Sequence, residues 1–169
     1  MDTIKAIMSR RSIRKFTNQD VSENDLKILL EAAMQAPSAG NQQPWHFLVI
    51  KRRDILTEIQ KFHPYSSMLS EASLAILICG DSLLEKYKNY WVIDCSNAAE
   101  NLLLAAHSIG LGAVWLGIHP REERINPMKK LFSLPDNIFP HSLIAIGYPA
   151  ETKKPEYRYK PERIHFDKW

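Results

Sequence analysis

The chain has 169 residues, a net charge of +3 and a composition that is 45% hydrophobic and 24% charged, which predicts one globular domain over residues 1–169. No apolar run approaches the ~20 residues that a membrane-spanning helix needs, which excludes an integral helical membrane protein. The small net charge argues against a dedicated nucleic-acid-binding protein.

A short helix is predicted at the start of the chain, because Ile4, Ile7 and Met8 have helical spacing. The segment Arg10–Phe16, with the sequence RRSIRKF, follows directly. Guanidinium groups bind phosphate bidentately and keep their charge, and the hydroxyl of Ser12 adds a donor. The segment therefore suits a small multivalent anion. A solvated basic face or a nucleic-acid patch is the alternative interpretation.

A second helix is predicted to start at Ser22, an N-cap residue with Asp25 three positions later, and to end before Pro37. Its apolar stripe is Leu26, Leu29, Leu30 and Ala33. The loop Pro37–Trp45 follows and offers amides and a hydroxyl, which suit the edge of a flat heterocycle. Together with the basic segment, the loop indicates a nucleotide-like cofactor, although such loops are also common connectors.

Two apolar runs in the middle of the chain predict buried strands, at Trp45–Lys51 and at Leu74–Cys79. Continuous apolarity in the first run predicts burial on both faces of the sheet. A helix is predicted over Asp54–Phe62 and a turn at Pro64–Ser67, and Gly80-Asp81 ends the second strand. The segment Leu83–Trp91 is dense in Lys and Tyr, and either a helix or a mobile flap fits it.

The strongest helical pattern covers Asp94–Ile109, with Gly110 at the position of a left-handed C-cap. Its apolar residues cover most of the helix circumference, so the helix must be buried. We favour a second subunit as the cover, with burial inside one chain as the alternative.

The last third of the chain predicts a strand at Ala113–Leu116, a helix over Arg121–Phe132 that Pro127 breaks, and a strand at Ser142–Ile146. From Glu151 onward Lys, Pro, Tyr and Arg dominate and no helical period holds. We expect this tail to need a partner to be ordered.

The cysteines and histidines show no motif of their own. Cys79 and Cys95 lack metal or redox spacing and lie in apolar surroundings, which predicts buried, reduced thiols and a cytoplasmic protein. The N-terminus also lacks an apolar signal region. We interpret His46 as a structural histidine, and His63 and His119, each before a proline, as turn residues.

Four segments in this order resemble the FMN-dependent nitroreductase family: Arg10–Phe16, the loop Pro37–Trp45, the stretch from Glu100 through Gly110-Leu111-Gly112 to Gly117, and Ala145–Pro149. The resemblance implies an α+β nitroreductase-like fold, with a central, largely antiparallel sheet flanked by helices. It also implies an intertwined homodimer with FMN at the subunit interface, in which the C-terminal arm, about residues 151–169, wraps the partner.

The resemblance also implies roles for individual residues. Arg10 and Ser12 match phosphate-binding positions, and Arg14 matches the position that meets the pyrimidine edge of the flavin. Asn41 matches an amide that reads the ring edge, and the backbone around Gly117 matches the N–H that reaches flavin N5. Only glycine lets a backbone come so close freely. The predicted cofactor-binding residues are Arg10, Arg11, Ser12, Arg14, Pro37, Ser38, Ala39, Asn41, Gln43, Leu116, Gly117, Arg158 and Lys160.

Two parts of the predicted site are less defined. Many relatives complete the phosphate site with a basic pair near the C-terminus, for which Arg158 and Lys160 are candidates in an uncertain register. Tyr87, Tyr90 and Trp91 can stack on an aromatic substrate, or they are ordinary surface or core aromatics. No metal is predicted, because none of the six histidines pairs at ligand spacing. No catalytic side chain is predicted, because a flavin carries its own chemistry.

The implied function is an FMN-dependent oxidoreductase that passes hydride from NAD(P)H through flavin N5 to a small acceptor, such as a nitroaromatic or a quinone, in a ping-pong cycle. The expected partners are a second copy of the chain and small molecules, with no nucleic acid and no membrane. A reductive dehalogenase, a flavin-fragmenting enzyme and a non-catalytic flavin-binding protein are the alternatives.

Overall fold

A computed structural model of the chain describes residues 1–169 and has one four-stranded sheet at its centre. The strands are β1 (Trp45–Ile50), β2 (Leu74–Asp81), β3 (Gly112–Gly117) and β4 (Ile138–Gly147). They lie in the order β1-β2-β4-β3, and every neighbouring pair is antiparallel. The predicted α+β class with a central antiparallel sheet is therefore confirmed.

Five α-helices flank the sheet: α1 (Thr3–Ser9), α2 (Glu23–Met34), α3 (Arg53–Gln60), α4 (Trp91–Ser108) and α5 (Glu122–Phe132). Short 3₁₀ turns occur at Ala39–Asn41, Ser67–Ser70 and Pro161–Arg163. One core cluster lies between the sheet and helices α2 and α4, and a second packs the other face against α3 and α5. None of the helices combines the length and hydropathy that crossing a membrane needs.

The burial of the edge strand β1 differs from the prediction. Strand β2 is buried along its whole length, but β1 is not, because it is an edge strand that pairs only with β2. His46 and Leu48 are exposed, and Phe47 and Val49 are only half-buried. The expectation that β1 is buried on both faces was therefore wrong, although the strand itself forms where predicted.

Helix α4 starts three residues earlier than predicted and ends at Ser108, followed by Gly110 with φ +87°. Its buried residues are Trp91, Asp94, Cys95, Ala98, Ala99, Leu102, Leu103 and Ala106. The chain itself covers this face, mainly with the sheet and α2, so burial inside one chain, which we ranked second, accounts for most of the pattern. Ile93 and Ile109 remain exposed.

Three further segments refine the prediction. Helix α5 continues through Pro127 rather than breaking there, since a proline removes one backbone hydrogen bond and the rest of this exposed helix forms around it. Gly80 and Asp81 belong to β2 instead of ending it. The segment 83–90 is a series of turns, and its last predicted residue, Trp91, is the first residue of α4.

Candidate active site

The basic segment is held against the sheet by its backbone. The N–H of Ile13 donates to the carbonyl of Ala113 in β3 at 3.0 Å, and Thr17 N–H donates to Tyr148 O at 2.9 Å. The buried ring of Phe16 packs on Gly147, where an added Cβ would meet the ring at 3.0 Å. These contacts hold the backbone of the segment against the start of β3 and the end of β4.

The arginines of this segment have different partners. Arg10 Nε lies 3.4 Å from a carboxylate oxygen of Glu100 in α4. The Arg11 guanidinium donates to the backbone carbonyls of Met8, Arg10 and Glu156, at 3.3, 2.6 and 3.1 Å. Arg11 therefore ties the end of α1 to the tail. The Ser12 hydroxyl and the Arg14 guanidinium make no hydrogen bond within the chain, so both remain available to a ligand.

The first residues of the tail fold back onto the same segment. The Glu151 carboxylate accepts the Arg14 N–H at 2.5 Å, and Lys153 Nζ donates to Ser12 O at 2.9 Å. The Arg14 N–H is the main reason why the pKa of Glu151 lies below its usual value. The expectation that the tail is unanchored from Glu151 onward is thus corrected, since residues 151–156 contact their own chain. Arg158 and Lys160 lie farther along, in the exposed part.

The loop from Pro37 to Gln43 adopts an unusual backbone. Gly40, Asn41 and Gln43 all have φ near +50°, a left-handed conformation that is strained for residues other than glycine. Gln43 N–H donates to Ser38 Oγ at 3.0 Å, and the Gln43 side chain donates to Asn41 Oδ1 at 3.0 Å. The loop therefore fixes the predicted amides Asn41 and Gln43 relative to each other.

A buried carboxylate holds this loop in place. Asp94, in the first turn of α4 and only 1% exposed, accepts Ala39 N–H at 2.9 Å and Gln42 Nε2 at 2.6 Å. Gln42 Oε1 in turn accepts the backbone N–H groups of Lys86 and Tyr87, at 2.7 and 3.1 Å. A continuous hydrogen-bonded chain thus connects α4, the loop and the segment 83–90.

Gly117 ends β3 and presents an open side. Its carbonyl accepts hydrogen bonds from Arg124 Nη1 at 2.7 Å and from His63 Nε2 at 3.0 Å. A Cβ added at Gly117 would meet no atom closer than that Arg124 nitrogen, at 3.9 Å. A ligand can therefore approach the Gly117 backbone closely. Leu116, the preceding residue, is buried in the core beneath it.

The three candidate substrate aromatics fall into two groups. Tyr87 and Tyr90 are about half-exposed, and their rings contact edge to face with centroids 6.2 Å apart. Trp91 is 8% exposed, stacks on Phe139 at 5.7 Å, and occupies space above Gly80. The structure therefore places Trp91 in the core and leaves the two tyrosines accessible.

The remaining histidines and the cysteines that the sequence analysis discussed have structural partners or are buried. His46 Nε2 meets the Asp81 carboxylate at 3.1 Å, a structural pair of the kind predicted. His63, expected to be a plain turn residue, is instead buried and bonded to Gly117. Cys79 and Cys95 are free and buried as predicted, and burial raises the pKa of Cys79 to about 12.

Comparison with known proteins shows which family the chain belongs to. The family model described as the nitroreductase family matches residues 7–71 and 64–148. The chain belongs to the nitroreductase family. A protein of Methanothermobacter thermautotrophicus, provisionally named NADH dehydrogenase/NAD(P)H nitroreductase, is 48% identical over all of this chain and 88% of its own length.

Solved nitroreductase structures have the same fold. An FMN-dependent nitroreductase from Clostridium difficile R20291 superposes with a TM-score of 0.91 at 28% identity, covering 98% of this chain and 99% of its own. A provisionally named nitroreductase from Desulfovibrio desulfuricans, solved in complex with FMN, superposes with a TM-score of 0.86 at 32% identity. The match covers 100% of this chain and 98% of that protein's chain. The family and fold that the four sequence segments indicated are confirmed.

The structure also identifies residues that contact the candidate site and that the sequence analysis did not predict. Asp94 and Gln42 support the loop from Pro37 to Gln43, Lys153 lies against the basic segment, and Arg124 and His63 both donate to the Gly117 carbonyl. None belongs to a recognisable motif. The signal available in sequence was only that a carboxylate, Asp94, stands among apolar helix residues, which marks it as a buried group in need of partners.

Proposed function

We propose that the chain is an NAD(P)H-dependent FMN oxidoreductase that reduces a small acceptor, such as a nitroaromatic or a quinone. One observation carries the proposal. Ile13, which lies between the free donors of Ser12 and Arg14, is hydrogen-bonded to Ala113 near the start of β3, and Gly117, with its open side, ends the same strand. A ligand with a phosphate at one end and a flat heterocycle at the other fits that arrangement.

The residues present suit FMN. Arg10 and Ser12 would bind the phosphate, with Lys153 close by, and Arg14 would face the pyrimidine edge of the flavin. The backbone N–H of Gly117 would meet the ring near N5. FMN, when bound, supplies the hydride chemistry, accepting hydride from NAD(P)H and passing it to the acceptor. The protein contributes binding, orientation and charge.

The same proposal includes a homodimer with FMN at the subunit interface. Helix α1 supports it, because Ile4, Ile7 and Met8 form an apolar face that is 50–69% exposed in one chain. Asn41 and its loop would then reach the flavin from the partner subunit. Residues 157–169 would wrap the partner and bring Arg158 and Lys160 to it, since this part of the tail is exposed on its own chain.

Turnover in this site would be ping-pong, because one flavin face serves the nicotinamide and the acceptor in turn. The half-exposed rings of Tyr87 and Tyr90 are suited to stacking on an aromatic acceptor. The two free, buried cysteines support the cytoplasmic location that belongs to this proposal.

Identification of the bound flavin tests the proposal. The protein is purified, denatured, and the released flavin separated by chromatography against FMN, FAD and riboflavin standards. We expect FMN at one molecule per chain, and recovery of the yellow colour when apoprotein is mixed with FMN. A protein that is colourless and cannot be reconstituted with FMN contradicts the proposed function.

A further inference from the structure

The carbonyl oxygen of Gly117 is the acceptor of two side chains from different parts of the chain. Arg124, in the first turn of α5, donates at 2.7 Å, and His63, in the turn after α3, donates at 3.0 Å. Two donors on one carbonyl at the end of a strand hold the backbone of Gly117 firmly. The electrostatic contributions of the two side chains differ.

His63 is a neutral donor. Its Nε2–H donates to Gly117 O, while its Nδ1 accepts the Tyr65 N–H at 3.4 Å, so both ring nitrogens have the partners of one neutral tautomer. Burial lowers the pKa of His63 below its ordinary value, and the neighbouring Arg124 lowers it further. The full positive charge at this carbonyl is therefore that of Arg124.

The Arg124 guanidinium has no counter-ion in the chain. It forms no salt bridge with any carboxylate, its Nε is buried without a hydrogen-bond partner, and it lies over the Tyr65 ring at 5.6 Å. Its neighbour Arg121, by contrast, points outward and pairs with Glu123. The Gly117 carbonyl and the Tyr65 ring hold this half-buried guanidinium in place, but neither is an anion, so the positive charge of Arg124 beside Gly117 is not neutralised.

The guanidinium borders the open side of Gly117. The Cβ position of an alanine there would lie 3.9 Å from Arg124 Nη1, and no other atom comes within 4 Å. A ring that approaches the Gly117 backbone from this side therefore comes close to a fixed positive charge. A partly buried charge is screened less by water and salt than a fully exposed one and therefore acts more strongly.

We propose that Arg124 is a second cation of the flavin site, which acts from the Gly117 side and stabilises the reduced flavin relative to the oxidised flavin. The proposal rests on the proposed function, since it requires a flavin at Gly117. Oxidised flavin is neutral and the reduced form is anionic, so a nearby positive charge favours reduction. Arg124 thereby raises the midpoint potential of the bound FMN without a carboxylate to offset its charge.

The test is a redox titration of the FMN-loaded protein with a matched pair of variants. Arg124→Met removes the charge beside Gly117, and Arg121→Met removes the same charge one turn away, where the side chain is 63% exposed. We expect Arg124→Met to shift the ratio of reduced to oxidised flavin about tenfold at a fixed potential, equivalent to about 30 mV for a two-electron couple. Arg121→Met should leave the potential unchanged.

Two further variants separate charge from shape. Arg124→Lys keeps the charge and Arg124→Gln keeps a neutral donor, so the potential of the first should stay near that of the wild type and the potential of the second should fall. These variants decide the question even where Arg124→Met fails to fold. Equal potentials in Arg124→Lys and Arg124→Gln, in proteins that bind FMN and are reduced by NAD(P)H, overturn the role of Arg124 alone. Absence of bound flavin in the wild type would instead overturn the proposed function.

Discussion

Arg10 and Arg14 lie four residues apart in the basic segment but have different surroundings. Arg10 pairs with Glu100, and its side chain is 23% exposed, whereas the exposed Arg14 guanidinium has no partner in the chain. In the proposed site Arg10 faces a phosphate that is charged in both redox states. Arg14 faces the end of the flavin that gains charge only on reduction. The two residues should therefore affect different properties.

Arg14→Met is expected to lower the flavin midpoint potential and to slow reduction by NAD(P)H, while Arg10→Met mainly loosens FMN. A charge-assisted hydrogen bond contributes about 1.5–3 kcal/mol, which corresponds to a drop on the order of 30–60 mV for Arg14→Met. The same energy in Arg10→Met weakens FMN binding by roughly one to two orders of magnitude. Redox titration, stopped-flow reduction and FMN titration of the apoprotein measure these effects. An unchanged potential in Arg14→Met would assign that residue a different role.

His141 gives the stability of the protein a defined pH dependence. It is 5% exposed between Ser96 and Ser142, with ring nitrogens 3.2 and 3.0 Å from their hydroxyl oxygens. Burial lowers its pKa to about 4, from an ordinary value of 6.5. Between these two pH values the unfolded chain binds a proton at this residue and the folded chain does not. Stability therefore rises with pH across this window and levels off above it.

His141→Gln should remove this component, which amounts to about 3 kcal/mol over the window. Urea unfolding at a series of pH values from 4 to 7.5 measures it. The curve of unfolding free energy against pH should be flatter in His141→Gln than in the wild type. His165→Gln, in the exposed tail, is the matched control and should leave the slope unchanged. Parallel curves for His141→Gln and the wild type would contradict the buried neutral state of His141.

At the scale of elements, the loop from Pro37 to Gln43 and the segment 83–90 support each other. The Gln42 side chain accepts N–H groups of that segment, and the Tyr87 ring packs directly on Gly40. An added Cβ at Gly40 would lie 2.3 Å from Tyr87 Cε2. Only glycine therefore permits both the φ of +53° and the contact with Tyr87.

Gly40→Ala is expected to destabilise the protein through backbone strain and through displacement of Tyr87. Gly110→Ala is the control, because Gly110 has φ +87° and an added Cβ there would have no atom within 4 Å. The destabilisation by Gly110→Ala therefore measures backbone strain alone, which is about 1–2 kcal/mol. Any additional cost of Gly40→Ala should disappear in a Tyr87→Ala background, as urea unfolding of the double-mutant cycle can measure. Persistence of that additional cost without Tyr87 would exclude the ring contact as its cause.

The sequence predicted elements with strong local patterns and missed features that depend on distant contacts. The Ser22 cap, the stripe of α2 and the Gly110 end of α4 follow from spacing within a few residues. The exposure of β1 depends on its place at the edge of the sheet, which its apolar run does not encode. The roles of Asp94 and Arg124 likewise depend on their contacts with Gln42 and Gly117. These roles could not be predicted, because neither residue belongs to a sequence motif.

At the scale of the whole molecule, the proposed homodimer and the tail can be tested together. The wild type should sediment at low micromolar concentration as twice 19.5 kDa. Deletion of residues 157–169 should weaken the dimer while leaving the contacts of residues 151–156 with the basic segment. Deletion of residues 151–169 should also reduce FMN retention, because it removes Glu151 and Lys153. A stable, FMN-loaded monomer would contradict the proposed dimer, and equal FMN retention in the two truncations would contradict the role of residues 151–156.

The central claim is that this nitroreductase-family chain moves electrons from a nicotinamide to an acceptor through a bound FMN. Anaerobic mixing of the purified holoprotein with NADH or NADPH tests it most directly, followed by addition of a quinone in the absence of free nicotinamide. The account predicts that the visible absorption of the oxidised flavin is lost with at least one nicotinamide and returns in full with the quinone. An FMN-loaded protein that neither nicotinamide bleaches, although dithionite does, would contradict the account and indicate a flavin-binding protein without this activity.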